Sequence, residues 1–191
     1  MNKPIRPLLK GEVFLTCYAD DFIIGFENEE DAQRVYKVLP KRMGKYGVTI
    51  HPEKSKLKEF ALKGKGKVAT FDFLGFTHYW AKSQKGSPVV KRKTSSKKMQ
   101  VVVKNFHDTC MKHKYDKLKD QCKLLVSKLG RRYRYYGIRG NSIAISRMYE
   151  SSLCAWFKWL NRRGQCKGYT WPGFYELLKT LYTPETQDST Q

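Results

Sequence analysis

With 191 residues, 40% of them hydrophobic and 14% aromatic, the chain is long enough to bury a core and too rich in core-forming side chains for a disordered basic tail. Its 38 Lys+Arg against 17 Asp+Glu leave a formal charge of +21, which disfavours a hydrolase of acidic substrates or a neutral metabolic enzyme. That balance favours a polyanionic partner, nucleic acid before membrane. The charge is also uneven: residues 1–50 hold 8 basic and 7 acidic side chains, residues 51–191 hold 30 and 10. An acidic site beside a basic track is the simplest reading of that division.

In chain order, two short β-prone runs around residues 13–16 and 22–26 flank Tyr18-Ala19-Asp20-Asp21, which predicts a tight hairpin with both Asp at or beside its turn. Asn28 then reads as a helix N-cap, with Glu29, Glu30 and Asp31 suited to the positive end of the helix dipole. Ala32, Val35, Tyr36, Leu39 and Met43 recur at helical spacing, and Pro40 predicts a kink or restart. Gly47-Val48-Thr49-Ile50 reads as a short strand, Gly64 and Gly66 as a flexible turn, and residues 68–79 as extended chain interrupted at Gly75. A turn at Lys85-Gly86-Ser87-Pro88 leads to Val89-Val90, and residues 91–98 read as a basic connector.

Beyond that connector the periodicity is helical. Met99, Val102, Val103, Phe106 and Cys110 form one stripe, and Leu118, Cys122, Leu125, Leu129 and Tyr133 a second. Asn141-Ser142 starts a third helix that carries Ile145, Met148, Ser152, Leu153, Trp156 and Leu160, with Gly164 as its stop. Thr170 precedes a fourth with Phe174, Leu177, Leu178 and Leu181. The expected class is α+β, an antiparallel sheet with a helix followed by a helical bundle. The five cysteines, Cys17, Cys110, Cys122, Cys154 and Cys166, are odd in number and never spaced C-x-x-C. Without a secretory signal they read as reduced thiols of a cytoplasmic protein. His107, Cys110, His113 and Cys122 are poorly spaced for zinc. No apolar run approaches the roughly 20 residues of a membrane span.

Two adjacent carboxylates repel, and a hard divalent cation such as Mg²⁺, which takes oxygen ligands and works with phosphates, relieves that repulsion. Alone, an Asp-Asp pair is better explained as a polar turn. Its setting is more specific. Tyr18-Ala19-Asp20-Asp21 followed by Phe22-Ile23-Ile24 resembles the active-site hairpin of reverse transcriptases, particularly those of group II introns and their bacterial relatives. Residues 46–56, with His51-Pro52-Glu53-Lys54, look like the family's next palm motif, and Phe71-Asp72-Phe73-Leu74-Gly75-Phe76 resembles its primer grip. Tyr135-Tyr136-Gly137-Ile138, Asn141-Ser142 and Trp159-Leu160-Asn161-Arg162-Arg163 look like the thumb, or maturase, region of the same group.

The resemblance implies a half palm over residues 1–93, a helical thumb over 94–183 and a disordered tail over 184–191. It implies Asp20 and Asp21 as Mg²⁺ ligands and catalytic carboxylates, and Lys54 as the acid that protonates departing pyrophosphate. Tyr18 and Ala19 would lie close to the primer end and template and Leu74 and Gly75 beneath the primer strand, while Phe73 and Phe76 read as core or substrate contact alike. Lys91, Arg92, Lys93, Arg131, Arg132, Arg134, Tyr135, Arg162 and Arg163 would grip nucleic acid, the interleaved guanidiniums and rings of residues 131–136 suiting phosphates and bases. The implied partners are a template or intron RNA, a DNA primer and, if a separate N-terminal half complements the chain, deoxynucleoside triphosphates. No membrane partner is implied. Fingers and a first palm half, with a further carboxylate, would precede the hairpin, so the chain is expected to be inactive alone. A non-catalytic, maturase-like RNA-binding module is the alternative.

Overall fold

A computed structural model describes residues 9–61, 69–164 and 168–182. Gly64, Gly66, Val68, Cys166 and the tail 184–191 therefore lie outside the described residues. The class is α+β, and the chain divides into two compact units, residues 1–74 with 79–89, and residues 75–78 with 90–191.

In the first unit, β1 (Val13–Tyr18) and β2 (Asp21–Phe26) pair antiparallel from Val13↔Phe26 to Tyr18↔Asp21. Helix α1 (Glu29–Gly44) follows and packs on β2. Its start is capped as expected, since the Asn28 side chain accepts the Glu30 N–H at 2.8 Å. The helix continues through Pro40 as a single element, so no restart occurs there. Asp31 does more than complement the dipole. It is buried, and its Oδ2 accepts the N–H groups of Lys10 (2.7 Å) and Gly11 (3.1 Å), which fastens the chain before β1 to the helix.

The expected strand at residues 47–50 does not form. Val48 N–H donates to Met43 O, and Gly47 stands at φ +71°, so the segment closes the end of α1 instead of joining a sheet. Among the described residues of this unit only Asp31 and Ala32 are fully buried. Phe14, Leu15, Tyr18 and Tyr46 are each more than 60% exposed.

Strands β3 (Thr70–Phe73), β4 (Phe76–Lys82) and β5 (Pro88–Thr94) form a second antiparallel sheet in that order. The basic connector is thereby corrected: residues 91–94 are strand, and α2 (Ser96–Lys112) starts after the capping Ser95, whose Oγ accepts Lys98 N–H. Three consecutive exposed cations, Lys91-Arg92-Lys93, leave β5 without an apolar alternation, which is how it escapes a hydrophobic reading.

The second unit carries the main core. Helices α2, α3 (Leu118–Tyr136), α4 (Ser142–Leu160) and α5 (Trp171–Tyr182) enclose Val102, Phe106, Met148, Ala155, Trp156 and Phe174, each at most 2% exposed. The two stripes read at helical spacing supply Val102, Phe106 and Cys110 from α2, and Cys122, Leu125 and Leu129 from α3. Helix α4 ends at Leu160, four residues before the glycine expected to stop it. Asn141 precedes α4 yet makes no capping bond with its side chain. Instead its Oδ1 accepts Thr94 N–H (3.0 Å), while its Nδ2 donates to Thr94 Oγ1 (2.8 Å) and Tyr136 O (2.8 Å). One buried amide thus joins the end of β5, the end of α3 and the start of α4.

Candidate functional site

The β1–β2 turn is tight. Tyr18 pairs with Asp21, so Ala19 and Asp20 alone make the reversal, and Ala19 adopts φ +48°. A non-glycine residue there costs about 1 kcal/mol, strain of the kind concentrated at functional turns. Asp20 and Asp21 are both exposed, and neither carboxylate has a hydrogen bond or ion pair among the described residues. Two adjacent, unengaged carboxylates at a hairpin turn are open to a cation. Tyr18, 64% exposed, stands beside them.

Their donor chemistry fits a hard divalent ion, which commonly uses one or two carboxylates plus water and substrate phosphate. However, no group of three His, Cys, Asp or Glu able to hold a metal occurs among the described residues. The pair fits half of a site completed by other ligands. The imagined zinc residues do not converge either. His113 Nδ1 pairs with Asp116 Oδ2 at 2.7 Å, and Cys110 and Cys122 are buried in the core. Burial pushes the Cys110 thiol up to about 12, only partly offset by the Lys128 charge, so it stays neutral and unreactive.

Lys54 lies in a separate turn at residues 52–54, exposed, with its N–H bonded to His51 O at 3.2 Å. No hydrogen bond joins it to the hairpin.

The primer-grip segment is a second tight turn. Leu74 (φ +50°) and Gly75 (φ +78°) both sit in the left-handed region between β3 and β4, as a two-residue hairpin requires. A Cβ on Gly75 would stand 3.2 Å from Tyr136 Oη and 3.5 Å from Lys98 Cγ. The missing side chain therefore has an intramolecular cause. Gly75→Ala is expected to lower stability by about 1–2 kcal/mol in a urea melt, from backbone strain plus crowding. In a Tyr136→Phe background the crowding share should disappear and the strain remain. An unchanged midpoint for Gly75→Ala would contradict this account. Phe76 is buried in the core, stacked on Tyr135 (5.8 Å, 19°) and edge-on to Tyr136 (5.4 Å), whereas Phe73 is half-buried.

The basic candidates are spread over three elements of the second unit. Lys91, Arg92 and Lys93 are exposed on β5; Arg131 and Arg134 are exposed on α3, with Arg132 half-buried and Tyr135 51% exposed. Arg162 lies 5.5 Å from the Trp159 ring, while Arg163 Nη2 donates to Asp116 O at 3.1 Å and so ties the turn after α4 to the α2–α3 loop. Lys119 and Lys123 are exposed on α3 at four-residue spacing, a series that Ser127, Arg131 and Tyr135 continue. Each is a neighbour of the next, so they form a row that winds round α3. The expectation built on residues 131–136 alone missed the two lysines, although their spacing was visible.

Residues 1–78 match the family model for reverse transcriptase (RNA-dependent DNA polymerase). No curated protein matches the chain. The matched span contains both tight turns, Asp20, Asp21 and Lys54, and it ends within β4, before the helices of the second unit. The hairpin region is thus reverse transcriptase-like, and nucleic acid is the class of partner that such a region implies. No described helix is long and apolar enough to cross a membrane.

Proposed function

We propose that the chain is the C-terminal half palm and thumb of a group II intron-type reverse transcriptase, working in the cytoplasm on RNA. Residues 1–93 supply the palm portion and 94–183 the thumb. The observation that carries the reading is the pair of exposed, unengaged carboxylates on a strained two-residue turn inside the reverse transcriptase-like span. Asp20 and Asp21 would hold Mg²⁺, which when bound neutralises charge on phosphoryl oxygens. The chain's own residues do the rest. Tyr18 and Ala19 border the primer end, Lys54 offers an ammonium proton to departing pyrophosphate, and the exposed basic residues of β5 and α3 hold the duplex backbone by charge.

A-form duplexes are read by shape and phosphate contacts, which suits sequence-tolerant cations. The lack of a third acid among the described residues favours a second reading, a non-catalytic maturase-like module that binds intron RNA.

Binding of a structured RNA to the full chain, measured against salt and Mg²⁺, separates the two. Affinity should fall roughly a hundredfold between 50 and 200 mM salt if about five phosphates are contacted. On the first reading Mg²⁺ tightens binding several-fold, and Asp20→Ala/Asp21→Ala removes that increment alone. Identical behaviour of the double variant under all conditions favours the second. Extension of a primer by this polypeptide above an Asp20→Ala control is not expected, and its appearance would show that the two carboxylates suffice.

A further inference from the structure

We infer that the corner between α4 and α5 is a stacking platform for an unpaired base of bound RNA, an inference that rests on the RNA-binding reading above. Three aromatic residues crowd this corner while staying open to solvent: Tyr169 is 42% exposed, Trp171 40% and Tyr175 49%. The Trp171 indole already lies flat on Phe157, with centroids 4.0 Å apart and planes at 11°, and Tyr175 continues the row at 5.9 Å and 32°. A base added to such a row extends a stack whose protein half is already ordered, so little entropy is lost on binding.

The corner is held rigid from beneath. Asn161, just past the end of α4, accepts Tyr169 N–H at 2.7 Å through Oδ1 and donates to Tyr169 O at 2.9 Å through Nδ2. A Cβ on Gly168 would meet Asn161 Oδ1 at 2.7 Å, so the segment before α5 is pressed against that amide and only glycine fits. Phe157 and Asn161 are four residues apart on or next to α4 and share a face. One residue further round stand Lys158 and Arg162, both exposed, and residues 157–164 contain no acid. On α5, the Glu176 carboxylate is already paired with Lys179 at 2.7 Å.

Aromatic faces beside uncompensated cations match a ligand with both a flat ring and a phosphate. A nucleotide of single-stranded RNA has both, whereas an apolar peptide anchor would use the rings alone and leave Lys158 and Arg162 only the Trp159 ring, 5.8 and 5.5 Å away. Base-on-aromatic stacking is tolerant of sequence and leaves the phosphates to neighbouring cations.

The test uses the full chain with three RNAs: a blunt hairpin, the same hairpin with a three-adenosine single-stranded tail, and one whose tail is abasic with equal phosphate count. The adenosine tail should tighten binding about tenfold over the abasic tail. Trp171→Ala should erase that advantage and leave blunt-hairpin affinity unchanged, while Trp171→Tyr keeps most of it. Because Trp171 also touches Phe174, Tyr169→Ala provides a second variant whose loss spares the buried packing; it should remove part of the tail advantage with an unaltered melting curve. Equal affinity for adenosine and abasic tails overturns the platform, as does an equal loss on blunt and tailed RNA in Trp171→Ala. That result would point to a protein partner or a packing role for the corner. Failure of even the blunt hairpin to bind at low salt overturns the RNA-binding reading itself, and the platform with it.

Discussion

Replacing Asn141 by Ala should cost about 2–4 kcal/mol, read as a shift of the urea midpoint followed by circular dichroism. It is 2% exposed, and its amide serves three groups on two elements, β5 and α3. Ala leaves the buried Thr94 N–H without an acceptor, and an orphaned buried donor costs its full desolvation. Tyr136 O suffers less, because Ile138 N–H also donates to it at 2.8 Å. Asn141→Asp discriminates the clamp from a capping role. At an N-cap, Asp is as good as Asn. In the clamp, Asp keeps the acceptor for Thr94 N–H, loses both donors and brings a carboxylate against the Tyr136 carbonyl. The expected order is therefore wild type, then Ala, with Asp at or below Ala. An Asp variant as stable as wild type would restore the capping interpretation.

The second large effect is expected at Trp156. Its indole Nε1 donates to Gln121 Oε1 at 2.8 Å, its ring meets Phe174 edge-on at 5.6 Å, and it is 2% exposed. Gln121 in turn donates to His113 O (2.7 Å) and Asp116 O (3.0 Å), so one side chain satisfies both the core indole and the loop between α2 and α3. Trp156→Ala removes the ring and leaves a cavity, at about 3–5 kcal/mol. Trp156→Phe keeps a ring against Phe174 and strands only the Gln121 acceptor, at about 1–2 kcal/mol. Combining Trp156→Phe with Gln121→Leu should cost about 1 kcal/mol less than the two changes summed, since both ends of one bond vanish together. Strict additivity in that cycle would mean the 2.8 Å contact contributes little.

Most of the architecture could be read from the sequence because it follows from periodicity and local chemistry. The short β-prone runs around Asp20 and Asp21, the N-cap at Asn28 and the stripes of α2 and α3 are all local signals, and the hairpin with both carboxylates at its turn is where they placed it. The readings that needed correction depend on partners distant in sequence. Residues 47–50 have strand composition but no strand to pair with, so the end of α1 claims them. Residues 91–94 look like a connector until β4 supplies a ladder. Asn141 sits where a cap belongs, and only Thr94, 47 residues earlier, reveals its other use. Phe76, read as core or contact alike, packs against Tyr135 and Tyr136 of α3, and Tyr136 also crowds Gly75. Lys119 and Lys123 give a fainter signal for a different reason: an exposed charge at four-residue spacing has no packing consequence, and the Arg/Tyr run beyond is denser.

The unequal burial of the two units bears on how the chain must be measured. A unit whose fully buried described residues are Asp31 and Ala32 has little to lose on opening, whereas the helical unit must expose Phe106, Met148, Trp156 and Phe174 together. Opening free energies therefore differ along the chain, and a single denaturation midpoint would average two events. Trp80 belongs to the first unit and Trp156, Trp159 and Trp171 to the second, so the protein carries its own separate reporters of each transition.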